Sequence, residues 1–158
     1  MAFKKWTRSA DQLRPDPKHG SRLASKFINC MMWSGKKSVA QGIFYDALDV
    51  IAEKIKDVPP IEVFDRAIQN VRPNIQIKSR RVGGSNYQVP TSVNPRRSMS
   101  LAIRWILDAS RAKKGKPMHM RLATELIDAF NNQGAAVNTR ENVHRMADAN
   151  KAFAHFAW

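Results

Sequence analysis

Apolar residues recur along most of this chain at the three- and four-residue intervals that gather them on one side of a helix. Leu23, Phe27 and Met31 form the first such row. After a break at Ser34-Gly35, a longer row follows with Val39, Ile43, Ala47, Ile51 and Ile55. Pro59-Pro60 ends that row and opens a third, because a first helical turn tolerates proline. Val63, Phe64, Ala67, Ile68 and Val71 supply its apolar face, and Arg72-Pro73 stops it. Beyond Pro95, Leu101, Ala102, Trp105, Ile106 and Ala109 mark a fourth helix, in which the spacing places Trp105 in the core. Leu122, Leu126, Ile127 and Phe130 mark a fifth that ends near Gly134. Asn138 with Glu141 gives a capping-box-like start to a sixth.

Between the third and fourth helices the period changes from 3.6 to 2. The stretch "QIKSRRVGGSNYQVP", residues 76–90, alternates, breaks at two glycines and alternates again, which predicts a β-hairpin. Gly83-Gly84 suits a two-residue type I′ turn, whose central residues both need positive φ. Pro73 and Pro90 are expected to limit the pairing, since proline cannot donate to a ladder. Ile75 and Ile77 share a face and should tie the base to the body, while Lys78, Arg80 and Arg81 ride outward on a stem with no apolar face. An isolated ribbon is marginal in water, so this one is expected to project from a larger body as an arm. The predicted fold is mainly α: a six-helix, bundle-like body with one projecting β-hairpin arm. It forms a single domain over residues 1–158, with a basic extension (1–19), the arm (73–90) and a C-terminal helix and tail (138–158).

Charge then suggests what the arm touches. The 158 residues include 27 Lys and Arg against 13 Asp and Glu, a formal net charge of +14 that points to a polyanionic partner. From Arg66 to Leu107 there is no acid, yet Arg66, Arg72, Lys78, Arg80, Arg81, Arg96, Arg97 and Arg104 all lie there. Gly42 to Asp65, by contrast, holds Asp46, Asp49, Glu53, Asp57, Glu62 and Asp65 with only Lys54 and Lys56. The segment from Phe3 to Gly20 has no periodicity and reads as a basic extension that orders against a partner. "SRAKKGKP" from Ser110 to Pro117 reads as a basic loop.

Several function classes are set aside. Cys30 is the sole cysteine, so an intrachain disulfide is impossible and a reducing compartment is expected. No apolar run has the length of a membrane span, and the basic N-terminus lacks the apolar core of a signal peptide, so a soluble intracellular protein is expected. "SGKKS" at Ser34 to Ser38 ends like a phosphate loop, but Cys30 stands where the first glycine belongs. His19, His119, His144 and His155 lack metal-ligand spacing and read as surface or RNA-facing residues, so no metal or cofactor is expected. Asp46, Asp49 and Glu53 read as a solvated helix face, and no nucleophile, base and orienting group converge, so the chain is not expected to be an enzyme.

Nucleic acid fits better. Lys78, Arg80 and Arg81 sit where a narrow ribbon enters a groove, and Tyr87 on the returning strand either stacks on a base or packs to shield the ribbon, packing being the slightly favoured reading. Arg96 and Arg97 open the fourth helix, where free backbone N–H groups already favour phosphate. Trp33 and Trp158 are candidate exposed aromatics.

Five stretches also carry a family resemblance: "DPKHG" (16–20), "KFINCMMWSGKKSVA" (26–40), "KSRRVGGSNYQVP" (78–90), "LAIRW" (101–105) and "HRMADANKAFAHFAW" (144–158). In this order and spacing they resemble the bacterial-type family of the seventh small-subunit ribosomal protein. The resemblance implies a helical body with an extended hairpin. It implies a primary ribosomal RNA-binding protein that nucleates head assembly on the 3′ major domain of 16S-type RNA. It further implies that the hairpin and C-terminal helix face exit-site transfer RNA near the messenger path, with the ninth and eleventh small-subunit proteins as neighbours. The location implied is a ribosome, bacterial or organellar.

Candidate ribosomal RNA contacts are accordingly Lys4, Lys5, Arg8, Arg14, Lys18, Arg22, Lys36, Lys37, Arg72, Arg96, Arg97, Lys113, Lys114 and Lys116. Candidates facing transfer or messenger RNA are Lys78, Arg80, Arg81, Gly83, Gly84, Tyr87, Arg145, Lys151 and Trp158. Asn94, Asn138, Thr139 and Ala157 are neutral where the family tends to be basic, and Trp33 and Ser34 stand where a basic and an acidic residue are common. A DNA-bending protein with a basic β-arm is the alternative, although Gly83-Gly84 offers no apolar wedge at the tip.

Overall fold

The computed structural model describes residues 12–156. Six α-helices, α1 (Arg22–Met31), α2 (Lys37–Lys54), α3 (Pro60–Val71), α4 (Pro95–Ala112), α5 (Met118–Phe130) and α6 (Ala135–Ala149), form the body. One antiparallel hairpin of β1 (Ile75–Val82) and β2 (Ser85–Ser92) separates α3 from α4, and a 3₁₀ segment, Lys151–Phe156, follows α6. The helix α5 packs against α2, α3 and α4 and so occupies the centre. Phe27, Phe44 and Phe64 meet beside it with ring centroids 5.2 to 5.7 Å apart, two of the three pairs edge-to-face, and all three side chains are buried. Such pairs add about 0.5–1.5 kcal/mol each beyond the area they bury.

Local chemistry sets the starts of α1, α3 and α4. Ser21 Oγ accepts the Ala24 N–H at 3.2 Å, and Asn94 Oδ1 accepts the Arg96 N–H at 3.0 Å with Pro95 in the first turn. Pro60 begins α3 as the sequence predicts. The start of α6 differs: the helix opens at Ala135, not near Asn138. Its first free N–H groups find a cap on another helix, since Glu125 Oε1 accepts the Ala136 N–H at 2.9 Å. Gly134 makes this possible with φ +94, and a Cβ there would meet Glu125 Oε1 at 3.1 Å and Asp128 Cβ at 3.0 Å. Asn138 is an exposed residue inside the helix.

Two rows are less apolar in place than in sequence. Val39 is 56% exposed on the first turn of α2, and Trp105 is half-buried against the core, not enclosed by it.

The hairpin also departs from expectation in extent. Pairing runs from Ile75 opposite Ser92 to Val82 opposite Ser85, so Pro90 lies within the ladder opposite Ile77. Counted outward from the two-residue turn, that rung is a non-hydrogen-bonded one, where the missing N–H of proline would have pointed away from β1. Its packing face is the other correction. Ile75 and Ile77 are only half-buried, and the fully buried residue is Val89, on the opposite face beside Tyr87. The 3₁₀ segment covers that face, with Phe153 and Phe156 against Tyr87, and α6 packs on β1. The stem is therefore not bare.

Candidate nucleic-acid interface

The N-terminal part of the interface hangs on one carboxylate. Asp16 is buried and accepts three hydrogen bonds, from Tyr45 OH at 2.7 Å and from the backbone N–H groups of Lys18 and His19 at 3.2 and 3.1 Å. Partial burial, then the hydrogen bond to Asp16 and its negative charge, push the Tyr45 phenol from its ordinary 10.0 up to about 12. The turn through residues 16–20 is thus ordered against α2 without a partner, contrary to the expectation for the whole extension. Arg14 and Lys37 consequently line one cleft of about 560 Å³ with Ser25, Asn29 and Gln41. Among the described residues its lining carries no acid. Lys36 and Lys37 are exposed at the start of α2, whose first turn has neither a side-chain cap nor an acid, so its free N–H groups add to the positive field. Arg22 is exposed at the start of α1. Lys18 is partly engaged, 3.8 Å from Asp49 and 5.0 Å above the Tyr45 ring.

A second group surrounds the junction of α3, the hairpin and α4. Arg96 and Arg97 are exposed in the first turn of α4. Arg72 is half-buried, its guanidinium 3.5 Å from the Pro95 carbonyl, and lines a polar cleft of about 460 Å³ with Asn70, Asn74 and Arg140. Ser98 Oγ donates to the Pro73 carbonyl at 2.8 Å, Arg140 donates to the Asn70 carbonyl, and the Asn74 N–H donates to His144 Nε2 at 3.3 Å. These bonds fix the angle at which the hairpin leaves the body.

The hairpin turn has Gly83 at φ +58 and Gly84 at φ +90, as a type I′ turn requires. Lys78 and Arg81 are exposed, whereas Arg80 is half-buried opposite Tyr87. Tyr87 packs on Phe153 and Phe156, with ring centroids 5.2 and 5.3 Å away. Arg145 and Lys151 are exposed on the elements that pack against the hairpin, so their charges and those of the hairpin belong to one assembly. Phe153 and Phe156, three residues apart in "KAFAHF", carry no sequence signal of this contact, because their partner lies on a distant strand.

The basic loop divides. Lys114 and Lys116 are exposed, but Lys113 turns inward to Glu125 Oε2 at 2.7 Å and Asp128 Oδ2 at 3.3 Å. Burial alone would lower the pKa of its ammonium, but hydrogen bonding to and attraction by Glu125 and then Asp128 outweigh this and raise it. Lys113 is a structural cation. Among the described residues, Arg14, Arg22, Lys36, Lys37, Lys78, Arg81, Arg96, Arg97, Lys114 and Lys116 form no ion pair. Lys4, Lys5, Arg8 and Trp158 lie outside the described residues. No helix among those described is long and apolar enough to cross a membrane.

Comparison with known proteins agrees with this geometry. Residues 3–151 match the family described as ribosomal protein S7p/S5e. The small ribosomal subunit protein uS7 of Rhodopirellula baltica is 59% identical over 153 residues, 96% of this chain and 98% of that protein. Its counterpart in Nitratiruptor is 54% identical over 93% of this chain and 94% of that protein, and that of Thermotoga maritima 53% identical over 93% and 94%. A family match over nearly the whole chain, together with a helical body and a single basic hairpin, means that this chain belongs to the S7p/S5e family of ribosomal proteins.

Proposed function

We propose that this chain is a structural component of the small ribosomal subunit that binds ribosomal RNA directly and nucleates assembly of the head on its 3′ major domain. The observation that carries the proposal is the set of ten exposed cations named above as forming no ion pair, presented by several elements whose backbones are fixed independently of RNA. Cations left unpaired on a rigid surface are matched by the phosphates of a folded RNA, which release counterions when neutralised. Arg14 with Lys37, and Arg72 with Arg96 and Arg97, are the proposed ribosomal RNA contacts of the body, with Arg22, Lys114 and Lys116 beside them. Lys18 contributes only by breaking its weak pairing to Asp49. The hairpin, Arg145 and Lys151 are proposed to face exit-site transfer RNA near the messenger, and the ninth and eleventh small-subunit proteins are proposed neighbours. No catalytic step is proposed.

Binding of the purified protein to the 3′ major domain, compared with scrambled RNA and duplex DNA over a range of salt, tests this reading. If about six phosphates are neutralised, log affinity should fall against log salt with a slope of roughly −4 to −5. Specificity should come from the folded shape of the RNA, because the deep, narrow A-form major groove is closed to side chains. Equal affinity for scrambled RNA, or preference for duplex DNA, would overturn it.

A further inference from the structure

One exposed aromatic has no place in the reading above. Trp33 is 71% exposed immediately after α1. A turn holds it there: the Lys36 N–H donates to the Trp33 carbonyl at 3.0 Å, with Ser34 at φ 51 and Gly35 at φ 73 between them. One face of the indole is already covered, for the Arg111 guanidinium lies 5.3 Å from the ring centroid and is itself pinned by donating to the Met31 carbonyl at 3.1 Å. With that face covered and the residue so exposed, the other face is open. Trp33 also lines an apolar groove of about 260 Å³ with Met31, Val39, Ile43 and Met118, and the charged residues lining it are Lys36 and Arg111, both cations.

We propose that the exposed Trp33 seats an unpaired base of the bound RNA, stacked on its indole at the edge of this groove, with the flanking phosphates neutralised by Lys36 and Lys37. The inference rests on the functional reading above and adds a site to it. Every base has an apolar π-face and carries negative phosphates on either side, which is the combination this surface complements: a planar aromatic platform, apolar walls and cations. The cation behind the indole strengthens the platform by fixing its orientation. A protein segment would also cover Met31 and Val39, but Lys36 and Arg111 would pair only with acidic side chains on such a segment, so a protein occupant becomes an outcome of the test.

Stacking and ion pairing separate cleanly in salt, because a stacked base releases no counterion. Affinity for the 3′ major domain should be measured at several salt concentrations for the wild type, Trp33→Ala, Trp33→Phe and Lys36→Ala. Trp33→Ala should weaken binding roughly five- to a hundredfold with the slope unchanged, and Trp33→Phe should lose less. Lys36→Ala should make the slope shallower. In a variant with Trp6, Trp105 and Trp158 changed to Phe, the emission of Trp33 should be quenched as RNA is added. Trp33→Ala binding within twofold of wild type with unquenched Trp33 emission overturns the site. So does a Trp33→Ala protein that binds RNA normally but fails to recruit a later head protein, which makes the groove a protein seat. Should the wild type not distinguish ribosomal from scrambled RNA, the functional reading fails, while quenching of Trp33 by either RNA still decides the stack.

Discussion

Lys113 stands in a run of cations by sequence, and only its surroundings distinguish it from Lys114. Glu125 is 0% exposed, and its charge is balanced by Lys113 and by one backbone N–H at the start of α6. Removing one member of such a pair strands the other, so Lys113→Met should cost about 2–4 kcal/mol in denaturant unfolding, against under about 0.5 kcal/mol for Lys114→Met. Equal costs would refute the inward role. Both Lys113 and Tyr45 have folded pKa values above their ordinary ones, so each stabilises the fold fully below its unfolded value, about 10, and loses that stabilisation as pH rises through the folded value. For Tyr45 the window is about pH 10 to 12. Tyr45→Phe should therefore be less stable than wild type at neutral pH by about 1–2 kcal/mol, having lost a hydrogen bond to a carboxylate, yet fall less steeply across that window. Parallel curves for the two proteins would exclude the Asp16 bond as the cause. Sequence reasoning could not see either partnership: it registers that a residue is charged, while Lys113 and Glu125, or Asp16 and Tyr45, meet only through tertiary packing.

At the scale of elements, what was legible follows whether the determinant is local. Pro60 and Pro95, read in the sequence as opening helices, do begin α3 and α4, and the cap of α1, Ser21, also lies beside the helix it begins. That of α6 does not, because it is lent by Glu125 from α5. Likewise the glycine turn fixes the centre of the hairpin, but not its covered face, which depends on Phe153 and Phe156 far along the chain. If those rings hold the ribbon down, Phe153→Ala should lower the local opening energy by about 1 kcal/mol, roughly a fivefold increase in hydrogen exchange. The amides to watch are Tyr87 and Val89, which donate across the ladder at hydrogen-bonded rungs. The helical core, whose aromatic cluster lies elsewhere, should melt within about 2 °C of wild type. Acceleration spread evenly over α2 and α5 would show instead that the C-terminal segment supports the whole body.

For the molecule as a whole, the helical class and the family motifs were legible because 3.6-residue periodicity and contiguous motifs survive without knowledge of contacts. What the structure adds is a division of the cations between a helical body and a hairpin clasped by the C-terminal segment. If these are two surfaces for two nucleic acids, shortening the hairpin should separate their functions. The cut must spare Tyr87, or the C-terminal segment will lose its seat and confuse the result. Deleting Arg81, Val82, Ser85 and Asn86 while keeping Gly83-Gly84 does this: it removes two rungs and sets the turn on Arg80 opposite Tyr87, a hydrogen-bonded rung like the one it replaces, so register and facing are preserved. The shortened protein loses one exposed cation, Arg81, and its reach falls by about 7 Å at the usual rise per residue. The body's cations are untouched, so affinity for the 3′ major domain and the yield of reconstituted subunits should stay within about twofold of wild type. Exit-site transfer RNA occupancy on those subunits should fall, and the deficit should grow with salt as the remaining contact by Lys78 is screened. Collapse of assembly with normal occupancy on the few completed subunits would mean that the hairpin anchors the protein to its first RNA, and the division into two surfaces would be wrong.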